Sequence, residues 1–183
     1  MVLRRPYNGN TRTPRHHLPD SKQAVTRIFQ LTASQWLPQA PEDVFAFFAD
    51  AFNLERITPP WLRFRVLTPQ PIEMRSGMEI DYRLRLRGLP LRWRSRISDW
   101  NPPYQFVDDQ IVGPYRLWHH VHKFEARDGG TCVLDHVEYA SAGGRLANAL
   151  FLRRDLRAIF AFRQQRLTEL FGAGPNTPPQ IAV

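Results

Sequence analysis

Residues 145–171, RLANALFLRRDLRAIFAFRQQRLTELF, hold neither proline nor glycine before Gly172. They read as one long helix, about 40 Å at about 1.5 Å per residue. On a helical wheel Leu152, Leu156, Ile159, Phe160, Leu167, Leu170 and Phe171 form one stripe, which needs an apolar partner along its whole length. The preceding residues supply a sheet. Alternating segments near 61–68, 77–87, 91–99, 104–112, 115–126 and 131–141 are separated by Ser76-Gly77, Gly88-Leu89-Pro90, Asn101-Pro102-Pro103, Gly113-Pro114 and Asp128-Gly129-Gly130, the punctuation of an antiparallel meander. A further strand is read over 25–37. Pro41, Glu42 and Asp43 ahead of Val44-Phe45-Ala46-Phe47-Phe48 start a short helix, and a second helical segment follows near 51–57. The fold class is α+β: a curved antiparallel sheet of about seven strands, two short helices after the first strand, and a long C-terminal helix packed across the sheet.

The 183 residues suit one domain. Residues 1–23 mix Pro, Gly, Asn and Arg without apolar periodicity and predict a disordered basic arm; 172–183 (GAGPNTPPQIAV) predict a disordered tail, leaving 24–171 as the folded domain. The lone Cys132 excludes an intrachain disulfide and a thiolate metal cage. No run approaches the roughly 20 apolar residues of a membrane span, and the start lacks the apolar core of a secretory signal, so a cytoplasmic protein is expected. The net charge of +8 favours anionic partners. All basic residues except Lys22 and Lys123 are arginine, which a G+C-rich coding genome explains as well as a demand for phosphate contacts.

Neighbouring strands agree on which face is inside, a strong check because a one-residue slip inverts every side chain. A four-residue connection Gly88–Leu91 sets Arg87, Arg85 and Arg83 opposite Arg92, Arg94 and Arg96, and Leu86, Leu84 and Tyr82 opposite Trp93, Ser95 and Ile97. Across Trp100–Pro103, Ile97, Ser95 and Trp93 face Phe106, Asp108 and Gln110. The hairpin at Arg127–Gly130 pairs Phe124 with Val133, His122 with Asp135, His120 with Val137, and Trp118 with Tyr139. One face is arginine. The other is an apolar wall into which two histidines and two aspartates point, the make-up of a small-molecule pocket.

Tyr82, Trp93, Ser95, Phe106, Asp108, Gln110, Trp118, His120, His122, Phe124, Asp135 and Tyr139 are the candidate ligand-binding residues on the sheet, with Phe160 and Arg163 on the helix. The histidine–aspartate group has three readings: a satisfied polar network, a ligand-orienting group, or a proton shuttle using His120 or His122 with Asp135. His120-x-His122 also has the spacing of a metal pair, but such spacing recurs by chance, so no metal and no cofactor are expected. Arg163 lies inside the helix stripe and needs a partner; an ion pair to an inner aspartate is favoured over an anionic ligand group. His119 faces outward.

The segment 100–124, WNPPYQFVDDQIVGPYRLWHHVHKF, followed by Asp128-Gly129-Gly130-Thr131, resembles a bacterial ligand-binding subfamily of the START-like or SRPBCC superfamily. The order of elements over 24–171 agrees with its helix-grip fold, shared by polyketide cyclases and lipid-transfer domains. The resemblance implies a cavity between sheet and long helix, and no settled substrate. The leading expectation is a non-covalent carrier of a hydrophobic small molecule that is lipid-, polyketide- or aromatic-like. A cyclase or dehydratase is the enzymatic alternative. A third reading has the arginine face docking weakly on anionic membrane or RNA; nucleic acid is disfavoured because the aromatics point inward, away from the basic residues.

Overall fold

The computed structural model describes residues 27–174 and 179–183, so the arm expected over 1–23 lies outside the described residues. The chain begins with strand β1 (Phe29–Leu37), whose alternation buries Leu31, Ala33 and Leu37. Helix α1 (Pro41–Ala49) follows, with Pro41 and two acids in its first turn, and sets Val44 and Phe45 beneath it. A single turn, α2 (Asn53–Arg56), comes next. The strand expected over 61–68 is mostly absent: Pro60–Leu62 forms a 3-10 turn, left-handed Arg63 ends it, and only β2 (Arg65–Val66) pairs.

The meander runs through β3 (Glu79–Leu86), β4 (Leu89–Asn101), β5 (Gln105–Val112), β6 (Tyr115–Arg127) and β7 (Gly130–Ser141). Together with β1, β2 and a final strand β8 (Gln180–Ala182) it makes one sheet ordered β2-β3-β4-β5-β6-β7-β1-β8. Strand β8 corrects the expectation of a disordered tail: Gln180, Ile181 and Ala182 pair antiparallel with Ser34, Ala33 and Thr32 and cover the edge of β1.

The β6–β7 register is the expected one, because Asp128 and Gly129 both take positive φ and make the two-residue turn that a right-twisted hairpin favours. The β3–β4 register differs. Its connection is again a two-residue turn, Arg87-Gly88, so Tyr82 faces Trp93, Leu84 faces Leu91, and Arg83 faces Arg92 in place of the expected Arg96. Between β4 and β5 a bulge before Asp99 sets Ser95 opposite Gln110 and Ile97 opposite Asp108, where Asp108 was expected opposite Ser95. Both slips are even, so the faces survive.

Past β7, residues 144–171 are helical without a gap: α3 (Gly144–Ala147), a π-helical stretch Asn148–Leu152, and α4 (Arg153–Phe171). The Tyr139 hydroxyl donates to Asn148 Oδ1 at 2.7 Å and ties the π stretch to the sheet. Leu156, Phe160 and Leu167 are buried as the stripe requires, together with Gln164, whose amide donates to the Ser34 and Gln180 carbonyls. The apolar interior falls into separate clusters. One joins α1 to Phe106 and Phe124; another joins Val137, Tyr139, Leu156 and Phe160, with Trp118 against it. Along β6, His120 and His122 fall between Trp118 and Phe124.

A cavity with a histidine–aspartate wall

Between the concave sheet face, α1 and α4 lies a cavity of about 180 Å³. Phe47, Phe48, Leu54, Ile57, Leu62 and Phe64 line it from the helix side and the loop; Tyr82, Leu84, Leu86, Trp93, Phe106, Tyr115 and Trp118 line it from the sheet. Leu156, Ile159, Phe160 and Arg163 line it from α4, and Ser95, Asp108, His120 and His122 add polar groups. Trp93, Tyr115 and Trp118 pack edge to face and tilted, with ring centroids 4.9–5.8 Å apart, forming one aromatic end.

The polar end is built by strand pairing. Asp108 on β5 stands opposite His120 on β6, and Asp135 on β7 stands opposite His122. His120 Nε2 lies 2.9 Å from Asp135 Oδ1, and His122 Nε2 lies 3.1 Å from Asp108 Oδ2. Ser95 donates to Asp108 Oδ1 at 3.2 Å and itself accepts from the Trp93 indole at 2.9 Å. The two imidazoles are 3.7 Å apart at their centroids, and Phe106 stacks on His122.

Burial and the neighbouring His122 push His120 down to about 4, against the pull of Asp135 and Asp108. Burial opposes charge on His122 too, but the hydrogen bond to Asp108 and the nearby Asp135 carboxylate outweigh it and raise His122 above its ordinary value. Both aspartates overcome burial through the same histidine contacts and are held below the usual carboxylate range. Two carboxylates thus face the Arg163 guanidinium and two imidazoles whose proton affinities are pushed in opposite directions.

Arg163 has the expected aspartate partner, since its Nη1 lies 3.7 Å from Asp135 Oδ1, and its guanidinium also sits 4.8 Å over the Phe160 ring. That contact is too long for a hydrogen bond. Among the described residues, Arg163 Nε and Nη1 have no acceptor.

Of the sequence-derived candidates, Tyr82, Trp93, Ser95, Phe106, Asp108, Trp118, His120, His122, Phe160 and Arg163 line one cavity. Four do not. Gln110 is spent on bracing the β5–β6 turn, donating to the Tyr115 carbonyl at 2.8 Å. Phe124 packs into the cluster under α1, Tyr139 reaches for Asn148, and Asp135 stands behind the imidazoles. Leu84, Leu156 and Ile159 were missed, though they share faces with Tyr82, Phe160 and Arg163 at strand and helix spacing. Phe47, Phe48, Leu54 and Ile57 gave no such signal, because their place depends on how α1 and α2 fold over the sheet.

The arginine face is partly neutralised. Arg94 makes paired bonds to Asp81 at 2.7 and 2.9 Å, and Arg96 bonds Glu79 at 2.7 Å. No described helix is long and apolar enough to cross a membrane.

Solved structures share this architecture. Protein Ms6760 from Mycobacterium smegmatis aligns at 18% identity and TM-score 0.59, over 77% of this chain and 89% of its own. CV1439 from Chromobacterium violaceum aligns at 14% and 0.61, over 81% and 99%. Ara h 8.0201 aligns at 12% and 0.60, over 79% and 98%. At such identities the likeness is one of fold. No curated protein matches the sequence. The family described as polyketide cyclase / dehydrase and lipid transport matches residues 37–164, most of the folded domain, and the chain belongs to that family.

Proposed function

We propose that the protein binds one compact, mostly apolar molecule without covalent chemistry, its rings against Trp93, Tyr115 and Trp118 and a polar atom turned to the histidine–aspartate wall. The observation that carries this is an apolar hollow with polar groups gathered at one end, the usual form of a small-molecule site. Size narrows the guest. A hollow of about 180 Å³ is near the dry cavity of about 150 Å³ that accepts benzene, and favours one or two fused rings over a long acyl chain. Arg163 donors without acceptors favour an oxygen-bearing guest. Native mass spectrometry of freshly purified protein, and calorimetry with 2-naphthol and palmitate, test this. A co-purifying mass or one-to-one uptake of naphthol is expected, with palmitate rejected. Uptake of neither probe and no co-purifying mass overturns it.

One observation favours a second reading: two imidazoles with ring centroids 3.7 Å apart face the same hollow, and their surroundings lower the pKa of His120 and raise that of His122. In this reading His120, held to its neutral form, takes a proton from carbon beside a carbonyl while His122, which holds its proton more tightly, gives one to the carbonyl oxygen, the enolisation that begins an aldol-type cyclisation. His122→Gln then stops turnover and spares binding. Turnover that survives replacement of either histidine removes this reading.

A further inference from the structure

The histidine–aspartate wall contains a donor set that hydrogen bonding alone does not complete. Asp108 Oδ2 lies 3.1 Å from His122 Nε2 and 3.5 Å from His120 Nδ1. One donor atom from each of the three lies within 4.8 Å of the other two. With metal–ligand bonds of about 2.1 Å, ligands at angles of about 90–110° stand roughly 3.0–3.4 Å apart, a spacing that Asp108 keeps from His122 at 3.1 Å and slightly exceeds from His120 at 3.5 Å. The opposite nitrogens of the same rings turn to a single oxygen: His120 Nε2 is 2.9 Å and His122 Nδ1 is 3.0 Å from Asp135 Oδ1. That His122 nitrogen is buried, off line for a hydrogen bond, and without a partner among the described residues. Ser95 holds the second oxygen of Asp108 at 3.2 Å. Asp135 hydrogen-bonds His120 from behind, the arrangement that fixes a ligating imidazole's tautomer and orients it toward an ion, and keeps its charge beside His122.

We propose that Asp108, His120 and His122 bind one divalent first-row transition-metal ion, with Asp135 supporting both imidazoles from behind. Two imidazoles and one carboxylate suit zinc, iron, cobalt or manganese better than calcium or magnesium. The side on which the ion sits follows from the surroundings. Asp135 approaches the rings as closely, but Arg163 stands 3.7 Å from its oxygen and Asp135 does not reach the cavity. Asp108 lines the cavity, so an ion beside it keeps open positions toward the hollow. The i, i+2 histidines alone are a weak signal; the register that brings Asp108 between them is the added observation.

Metal uptake needs no organic guest, so its failure and that of the carrier reading are separable. It does compete with the acid/base reading, because the ion takes the nitrogens that would move protons. The full chain, stripped with a chelator, is titrated with Co²⁺ and followed by visible absorption and calorimetry, then challenged with Zn²⁺. One Co²⁺ per chain is expected, displaced by Zn²⁺. Stoichiometric binding disappears in Asp108→Asn, His120→Gln and His122→Gln, weakens about 10–100-fold in Asp135→Asn, and persists in a His119→Gln/His136→Gln double variant. Circular dichroism verifies the fold of each; the nearly isosteric Asp108→Asn decides the matter should a histidine variant not fold. Absence of stoichiometric Co²⁺ in the wild type, or equal binding by folded Asp108→Asn, overturns the proposal.

Discussion

Asp135 Oδ1 sits 2.9 Å from His120, 3.0 Å from His122 and 3.7 Å from Arg163, so one buried carboxylate serves three neighbours. Removing it strands a buried guanidinium and takes the carboxylate from two imidazoles, and Asp135→Ala is expected to destabilise by about 3–5 kcal/mol in urea unfolding. Arg163→Met, which removes donors that were never well spent and keeps the apolar stem, is expected to change stability by less than half as much. The wall also sets the pH response of the metal-free protein. His120 is held down to about 4 in the fold against about 6.5 unfolded, so the unfolded chain takes the proton first and stability falls as pH drops through that interval. The lowered aspartates extend the loss below about 3.9. Raised His122 has the opposite sign: its contribution is full below about 6.5 and is lost as pH climbs through its folded value. Denaturation midpoints measured in chelator should therefore fall between pH 6.5 and 4 in the wild type, and His120→Gln should flatten that limb. An unchanged slope in the variant counts against this assignment. At this scale the sequence disclosed the His122–Asp135 pair through an unambiguous two-residue turn. It left open the approach of Asp108 to His120, because that depends on the β5–β6 register across Gly113-Pro114, which alternation alone does not set.

Arg87 links two elements that bound the cavity. It occupies the left-handed first position of the β3–β4 turn, grips Asp155 of α4 at 2.8 and 2.9 Å, and covers the Phe151 ring at 4.4 Å. The neighbours of the pair, Leu86 and Leu156, line the hollow. An ion pair this open to water is worth under about 1 kcal/mol, so Asp155→Asn should barely alter the unfolding midpoint. It should nevertheless loosen the contact between hairpin and helix, and speed release of a bound fluorophore in stopped-flow dissociation. Unchanged release would place the guest's exit elsewhere. Element types were largely legible because each has its own apolar period. The exceptions lacked one: Asn148–Leu152 is a π-helical stretch in a segment with every mark of an ordinary helix, and Arg65–Val66 is too short to alternate.

Across the molecule, the order of strands, short helices and long helix follows from punctuation and periodicity, whereas β8 does not, because three residues after a proline-rich stretch carry no pattern of their own. The hollow belongs to the same scale, since neither sheet nor helix makes it alone. Its walls lack packing partners on the side of the hollow, where a close-packed interior would supply them. Filling should therefore separate folding from binding. Leu84 is buried on the sheet face of the hollow, and Leu84→Phe places added carbons where atoms are lacking. The expected outcome is a melting temperature raised by a few degrees, about 2–4 °C per kcal/mol for a chain of this size, with loss of naphthol uptake. A lower melting temperature with uptake intact would mean that the ring was forced into a packed wall and that guests bind elsewhere. A protein both stabilised and emptied by one substitution would identify the hollow as space kept open for a ligand at the expense of stability.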